Sequence, residues 1–187
     1  GLIYPCTDPS TKVYLGVGSN LNRDNALRFA KKELSALFSN VKCSSVWESR
    51  PVREAEPDYY NIVIGGDCDL SLDDLVAKLA EIELSAGKEM MFHNGTNFGI
   101  KRRLDVDVLV YGDLVTTEPC KLPRHDIQDY PFVLCPLCEI DPDFIHPLLK
   151  VRVSELWQEM EPRLPEKMKV NKVDFDWEVP APSWTKE

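Results

Sequence analysis

Apolar and polar residues alternate in four stretches of this chain, and alternation with a period of two is typical of β-strands. Between these stretches, apolar residues recur three and four positions apart, which predicts helices. Leu27, Ala30, Leu34, Leu37 and Phe38 define the first helix. The predicted strands span residues 12–18, 41–47, 59–64 and 102–111, and two further helices run from Ser71 toward Gly87 and over residues 153–160.

The second helix has a recognisable start and end. Ser71 precedes its first turn and Asp74 follows three residues later, which is an approximate capping box. Gly87 comes after the last apolar position and is a typical helix stop. Local chemistry therefore fixes this helix at both ends.

The predicted order of elements is strand–helix–strand–strand–helix–strand. This is the ferredoxin-like βαββαβ order, an α+β fold in which both helices pack on one face of an antiparallel sheet. We expect a single domain over residues 1–187, with an N-terminal arm over 1–11 and an extended C-terminal tail over 162–187. Residues 88–101 show no clear period and predict a mobile loop, while 126–136 predict an irregular, partly apolar connection.

The last of the four strands carries the strongest chemical signal. Asp105 and Asp107 are two positions apart, so they point to the same face of the strand, roughly 6.5–7 Å from each other at the backbone. Two adjacent carboxylates repel unless a cation lies between them, and Mg²⁺ prefers oxygen ligands of this kind. Arg102 and Arg103 precede the pair and suit a phosphate group. A site for a metal–nucleotide complex and a solvated strand face with a surface ion pair both fit this pattern.

Composition narrows the function classes. The formal net charge is -9, with a sequence pI near 4.9, which argues against a general nucleic-acid binder. No apolar run approaches the roughly 18–20 residues that a membrane-spanning helix needs. We therefore expect a cytoplasmic protein that binds neither nucleic acid nor membranes, and the sequence leaves its oligomeric state open.

The six cysteines include a C-x-x-C pair, Cys135 and Cys138. This spacing occurs in zinc and redox sites, but no second C-x-x-C is present to complete a four-thiolate site. The pair also lies inside an apolar run, where cysteines usually behave as small buried hydrophobic residues. We expect reduced, buried thiols.

Five short motifs occur in order along residues 12–160, and together they resemble the family of 6-hydroxymethyl-7,8-dihydropterin pyrophosphokinase, an enzyme of folate biosynthesis. They are Gly18-Ser19-Asn20, Pro-Asp-Tyr-x-Asn at Pro57 to Asn61, Ile-Glu-Leu-x-x-Gly at Ile82 to Gly87, Leu-Asp-x-Asp at Leu104 to Asp107, and Pro-Phe-Val-Leu-x-Pro-Leu at Pro131 to Leu137.

The resemblance implies a reaction and a set of residues. In that family ATP gives its β- and γ-phosphates together to the hydroxymethyl group of a reduced pterin and leaves as AMP. It implies two Mg²⁺ ions on Asp105 and Asp107. The glycines and lysines of residues 88–101 separately predict a lid that closes over bound ATP. The implied pterin residues are Ser49, Val52, Tyr59, Asn61 and Phe132; those on the ATP and phosphate side are Lys88, Arg102, Glu83, Val108, Arg124 and His125.

The chain departs from the family pattern mainly on the ATP side. Lys88 stands where the family usually has an arginine, and Arg124 stands at the family's histidine position, with His125 one place later. Tyr130 falls where an arginine is common. Besides an active pyrophosphokinase, two alternatives remain: a non-catalytic relative that binds pterin or nucleotide, and a nucleotidyltransferase. The second is disfavoured because Ser19 and Asp105 are far apart in sequence.

Overall fold

The computed structural model of the chain describes residues 10–185, apart from the side chain of Phe98. Within this range, no helix is both long and apolar enough to cross a lipid bilayer. The strands are β1 (Thr11–Ser19), β2 (Phe38–Cys43), β3 (Val46–Ser49), β4 (Tyr59–Cys68), β5 (Lys88–His93), β6 (Thr96–Arg102), β7 (Asp105–Tyr111) and β8 (Asn171–Val173); the α-helices are α1 (Arg23–Ser35), α2 (Leu72–Ala86), α3 (Asp126–Asp129), α4 (Pro131–Ile140) and α5 (Val153–Met160).

The central sheet is antiparallel and is built around β1. This strand pairs with β4 on one side and with β7 on the other. β2 and β3 each pair with one half of β4, and β8 extends the sheet beyond β3. The register places Gly16 opposite Asp107 and Gly18 opposite Asp105. The acidic strand therefore lies at one edge of the sheet, beside the glycines of β1.

Alternation along the strands creates two apolar cores. Val13, Leu15 and Val17 of β1 pack on one face with residues of α1 and α2, as expected for this fold. Tyr14 and Leu109 point to the opposite face, where they join residues of α4. Helix α4 covers only part of this second face. The sheet surface next to the first residues of α4 is left open for a pocket.

The predicted ends of α2 are confirmed. The backbone N–H of Asp74 donates to Ser71 Oγ at 3.2 Å, which satisfies one of the free amides of the first turn. Gly87 follows the helix with φ of 81°, a conformation that strongly favours glycine. The helix therefore begins and ends where the sequence indicates.

Two predicted boundaries near the first helix are wrong. The helix ends at Ser35, and Phe38 already opens β2. The single strand expected over 41–47 is instead two strands, β2 and β3, separated at Ser44 and Ser45. Ser44 Oγ accepts a hydrogen bond from the backbone N–H of Val63 at 2.9 Å, so a side chain satisfies a β4 amide at this break.

Two segments that the sequence indicated as irregular are ordered elements. Residues 88–101 form a β-hairpin of β5 and β6, whose turn residues Asn94 and Gly95 both have positive φ. Asn-Gly is the preferred pair for such a two-residue turn. Residues 126–136 belong to α3 and α4, apart from Tyr130 between them. Pro131 occupies the first turn of α4, where a missing N–H does no harm, and burial of Leu134 and Leu137 holds the helix in place.

The C-terminal tail is more than a surface segment. Two 3₁₀ turns, Glu161–Arg163 and Glu166–Met168, lead into β8, which pairs with the sheet. Further on, the ring of Trp184 lies 5.2 Å from that of Phe29 on α1. Of the expected N-terminal arm, residues 1–9 lie outside the described range, and Thr11 already belongs to β1.

Candidate active site

A cavity of about 240 Å³ lies on the open part of the sheet, between β1, β4 and β7 and the start of α4. Gly16 and Gly18 form part of its floor, where the absence of side chains keeps the surface low. The loop over residues 50–58 forms one wall, and a second cavity of about 610 Å³ adjoins it through Ser49 and Phe132. The first cavity is small for a ligand site, since such sites span about 300–1,000 Å³, so it suits a compact ligand.

Asp105 and Asp107 both line this cavity, as their alternation on the strand predicted. Partial burial raises the pKa of Asp105, although Lys101 and Arg102 oppose that effect. Burial likewise raises the pKa of Asp107; Arg124 opposes this, while Asp126 and Asp105 add to it. Two carboxylates that lose hydration and repel each other form a favourable place for a cation.

The hydrogen bonds of Asn61 leave its side-chain oxygen available to a ligand. The residue is buried, and its Nδ2 donates both to the carbonyl oxygen of Trp47 at 3.0 Å and to Ser49 Oγ at 2.8 Å. These two bonds fix the amide and use both of its protons. Its Oδ1 lies beside the glycine floor, 3.5 Å from where a Cβ on Gly18 would be. Asn61 can therefore offer the cavity an acceptor.

The aromatic residues predicted to hold a flat ring also line the cavity. Tyr59 lies next to Asn61 on the β4 side, and Phe132 lies on the α4 side. The ring of Phe132 stacks on Tyr130 with centroids 4.9 Å apart, which supports its orientation. Val52 lines the cavity too, but it is 92% exposed. It therefore borders the cavity with its backbone more than with a packed side chain.

Residues predicted for the ATP side are more dispersed and do not line this cavity. Glu83 on α2 accepts a hydrogen bond from the backbone N–H of Val106 at 3.0 Å and lies 3.7 Å from the guanidinium of Arg102. Burial raises the pKa of Glu83, while that hydrogen bond and Arg102 oppose the shift. Lys88 is exposed at the base of the hairpin, directly across from Arg102.

The other three ATP-side residues differ in how they meet the acidic strand. Arg124 lies 3.6 Å from Asp107 and donates from Nε to Asp126 at 3.0 Å, so it is close to the acid pair. His125 is exposed and pairs with Asp129 at 2.6 Å. The side chain of Val108 is buried in the core with α1 and α2, so only its backbone is available to a ligand.

The charged residues near the cavity that the sequence analysis missed include Glu56, Asp126 and Lys101. Glu56 and Asp126 line it, and Lys101 approaches it from the hairpin. Lys101 Nζ lies 2.8 Å from Glu56 Oε1 and also donates to the hydroxyl of Tyr59. Burial alone lowers the pKa of Lys101, but these two partners raise it overall. No local pattern marks this group, because its members are joined only by folding.

Within residues 10–185, no cluster of three or more His, Cys, Asp or Glu side chains is arranged to hold a metal ion. Cys135 and Cys138 are free thiols on α4, and burial raises the pKa of Cys135 to about 12. Asp105 and Asp107 remain the oxygen pair that suits a hard divalent ion, with further ligands to come from water or substrate.

Comparison with known proteins identifies the family of this chain. Residues 14–142 match the family model of 7,8-dihydro-6-hydroxymethylpterin-pyrophosphokinase (HPPK). The chain belongs to the HPPK family. The matched segment runs from β1 to the second residue after α4 and so contains every residue named above as lining the first cavity.

Individual relatives agree with the HPPK assignment. A 2-amino-4-hydroxy-6-hydroxymethyldihydropteridine pyrophosphokinase of Haemophilus influenzae is 34% identical over 148 residues, covering 76% of this chain and 89% of that protein. An enzyme of the same name from Aquifex aeolicus is 30% identical over 146 residues, covering 76% of this chain and 88% of that protein. The predicted family and enzyme class, an ATP-dependent diphosphotransferase, are thereby confirmed.

Solved structures confirm the fold class of this HPPK. Wild-type Plasmodium falciparum HPPK-DHPS, solved with SDX-DHP, superposes with a TM-score of 0.65 at 10% identity, covering 88% of this chain and 48% of that chain. The chain therefore spans about half of that protein's length. At this identity the likeness concerns the fold, which is the predicted α+β antiparallel sheet with packed helices.

Proposed function

We propose that this protein transfers the β- and γ-phosphates of ATP, as one pyrophosphoryl unit, to the hydroxymethyl group of 6-hydroxymethyl-7,8-dihydropterin. The observation that carries the proposal is the position of Asp105 and Asp107 in the same small cavity as Asn61 and Tyr59. A carboxylate pair suited to a metal–phosphate complex therefore lies directly beside a compact, partly aromatic pocket.

Asn61, Tyr59 and Phe132 are proposed to hold the pterin. Because both protons of the Asn61 amide are engaged, its Oδ1 is left to accept a hydrogen bond from an N–H on the edge of the pterin ring. Tyr59 lines the cavity from β4 and Phe132 lines it from α4, and both rings suit contact with a flat heterocycle. Ser49 holds the amide of Asn61, and the backbone near Val52 borders the ligand.

Asp105 and Asp107 are proposed to hold two Mg²⁺ ions together with phosphate oxygens of ATP. Their oxygen ligands, paired charges and partial loss of hydration fit this ion. When bound, Mg²⁺ would neutralise charge on the phosphates. Both carboxylates line the same cavity as the proposed pterin residues, so the reacting groups of both substrates would meet there.

Lys88, Arg102, Arg124 and His125 are proposed to serve the ATP side. Arg102 is held by Glu83, and Arg124 lies between Asp107 and Asp126, so each arginine is oriented by a carboxylate. Lys88 lies across from Arg102 and would add a second cation at the base of the hairpin. The backbone at Val108 and the helix residue Glu83 would border the nucleotide.

The chemistry that follows is a displacement at phosphorus. The hydroxyl oxygen of the pterin forms a bond to the β-phosphorus as the bond from that phosphorus to the α,β-bridging oxygen breaks. The hydroxyl proton is released, and AMP leaves with the bridging oxygen. Little covalent work falls to the protein, whose contribution is to orient the two substrates and to balance negative charge.

The test is AMP formation from ATP and Mg²⁺, measured with and without 6-hydroxymethyl-7,8-dihydropterin. We expect AMP that depends on the pterin, with a matching amount of pyrophosphorylated pterin. Tight pterin binding without AMP would contradict the proposal and would point to loss of the phosphate side of the site.

A further inference from the structure

Lys101 joins three separate elements at the mouth of the cavity. It is the next-to-last residue of β6, and its Nζ lies 2.8 Å from Glu56 Oε1, in the loop over residues 50–58. The same nitrogen donates to the hydroxyl of Tyr59 at the start of β4 and lies 4.5 Å from the centre of its ring. Both partners line the cavity, so Lys101 acts on it from outside.

The ion pair is well placed to hold its partners. The side chains of Lys101 and Glu56 are 21% and 15% exposed, so water screens the pair less than an ordinary surface ion pair. The loop end that follows Glu56 is itself fixed, since Asn20 Nδ2 donates to the carbonyl oxygen of Pro57 at 3.1 Å and Arg23 to that of Asp58 at 3.0 Å. Lys101 therefore attaches the hairpin to a loop end that is already anchored.

We propose that Lys101 is a positioning residue for the pterin: it fixes the orientation of Tyr59 and closes the loop of Glu56 over the pterin side of the cavity. This inference rests on the proposed function, because it assigns Tyr59 and the loop to the pterin. Lys101 contacts Tyr59 and Glu56 and, within the described residues, forms no ion pair with Asp105 or Asp107, so its contacts lie on the pterin side. Its loss consequently affects pterin binding more than ATP binding or turnover.

The experiment measures pterin dissociation constants by calorimetry, in the presence of Mg²⁺ and an ATP analogue that cannot be cleaved. We expect Lys101→Met to weaken pterin binding roughly tenfold or more, as for loss of a charge-assisted hydrogen bond. The KM for ATP and kcat at saturating pterin should stay within about twofold of wild type. Lys101→Arg retains the charge and should recover most of the affinity.

Two further variants separate the partners. Tyr59→Phe keeps the ring and removes the hydroxyl that Lys101 contacts, and we expect weaker pterin binding in the same direction. Glu56→Gln combined with Lys101→Met forms a double-mutant cycle, in which the double variant should lose less affinity than the sum of the single losses. Lys78→Met is the matched control, because Lys78 pairs with Glu81 on the surface of α2 and should change nothing.

The two proposals fail in different ways. If wild type forms no pterin-dependent AMP, the proposed function is wrong and this inference falls with it. If wild type is active and Lys101→Met, with unchanged melting temperature, binds pterin as wild type does, only the inference is overturned. A large fall in kcat or ATP affinity with unchanged pterin affinity would also overturn it, since Lys101 would then serve the phosphate side. Should Lys101→Met fold poorly, Tyr59→Phe and Lys101→Arg carry the test.

Discussion

Asp105 and Asp107 make the cavity sensitive to pH in a direction that follows from their surroundings. Burial raises the pKa of both carboxyls in the folded chain above their unfolded values. Between those values the folded state binds more protons than the unfolded state, so the free energy of unfolding falls as pH rises through that window. Above the folded pKa values the penalty is fully present. The metal-free protein therefore carries an unfavourable free energy at neutral pH, mainly from the lost hydration of the two carboxylates and also from repulsion between charges.

Substituting Asp107 with Asn should separate stability from activity. The amide keeps the shape of the side chain and removes one charge of the repelling pair, so the metal-free melting temperature at neutral pH should rise above that of wild type. Pterin-dependent AMP formation should fall by roughly a hundredfold or more. Scanning fluorimetry with a chelator, and the AMP assay, measure the two effects.

Acid titration supplies the check on this prediction. The stability advantage of Asp107→Asn should shrink as pH falls toward the range in which the wild-type carboxyl takes up its proton. Asp113→Asn, an exposed aspartate in the turn after β7, should leave both melting and activity unchanged. Wild-type activity in the Asp107 variant would exclude this carboxylate from the metal site.

Asn61→Ala tests the pterin side of the candidate site. The alanine removes the acceptor offered to the cavity, and we expect the KM for pterin to rise about tenfold to a hundredfold, with the KM for ATP little changed. Ser49→Ala removes one of the two acceptors that hold the amide and should have a smaller effect in the same direction. An unchanged pterin KM in Asn61→Ala would mean that the ring edge is recognised elsewhere.

Among the elements, the hairpin of β5 and β6 is the best candidate for motion coupled to ATP. It follows α2 as a separate two-stranded sheet, and it carries three exposed apolar residues, Met90, Phe92 and Ile100. Lys88 and Arg102 lie at its base. The sequence-based prediction of a lid over ATP thus applies to a hairpin rather than to an irregular loop.

Hydrogen–deuterium exchange tests the lid. Binding of an uncleavable ATP analogue with Mg²⁺ should slow exchange in residues 88–102, because a closed hairpin excludes water from its amides. Exchange in the core of α1, which packs on the other sheet face, should be the same with and without the analogue. Equal exchange of the hairpin in both states would show that it does not close over the nucleotide.

The sequence predicted those features of the fold that depend on a few residues close together along the chain. The alternation around Asp105 and the cap at Ser71 are properties of a few neighbouring residues, and both appeared as expected. The hairpin also had a local signal, the pair Asn94-Gly95, which the missing periodicity of its strands obscured.

Other features had no local signal to find. The prolines of α4 argued for irregular chain, but burial of Leu134 and Leu137 against the sheet outweighs the hydrogen bond that Pro136 cannot make. The pairing of Glu56 with Lys101 joins residues 45 positions apart. Within the candidate site, motifs therefore predicted the acid pair and the proposed pterin residues that line the cavity, while the charges that connect its elements emerged only from the folded chain.

For the molecule as a whole, the C-terminal tail links distant parts of the fold. β8 extends the sheet beside β3, and the chain then crosses α1, where Phe175 and Trp177 lie against the cations of Arg28 and Lys31. Beyond them, the guanidinium of Arg103 lies 5.1 Å from the ring of Trp184. Arg103 also donates to the carbonyl oxygen of Ala86 and pairs with Glu89, so the tail contacts the base of the hairpin.

Trp184→Ala should reveal this connection. Loss of a half-buried ring against Phe29 should lower the free energy of unfolding by about 1–2 kcal/mol, less than for a fully buried aromatic side chain. Amide exchange near Arg103 should accelerate at the same time. Val179→Ala, an exposed change in the same tail, is the control for denaturant unfolding. Unaltered stability in Trp184→Ala would show that the tail only rests on the surface.

The glycine floor of the cavity determines which mutations this enzyme can accept there. A methyl group at Gly18 would meet Asn61 Oδ1 at 3.5 Å and Tyr59 Cδ1 at 3.7 Å, ordinary contact distances that the fold can accept. Alanine in place of a strand glycine also adds about 0.5–1 kcal/mol of stability. Gly18→Ala alone would therefore make the pocket smaller and exclude bulkier inhibitors. The variant would be at least as stable as the original protein.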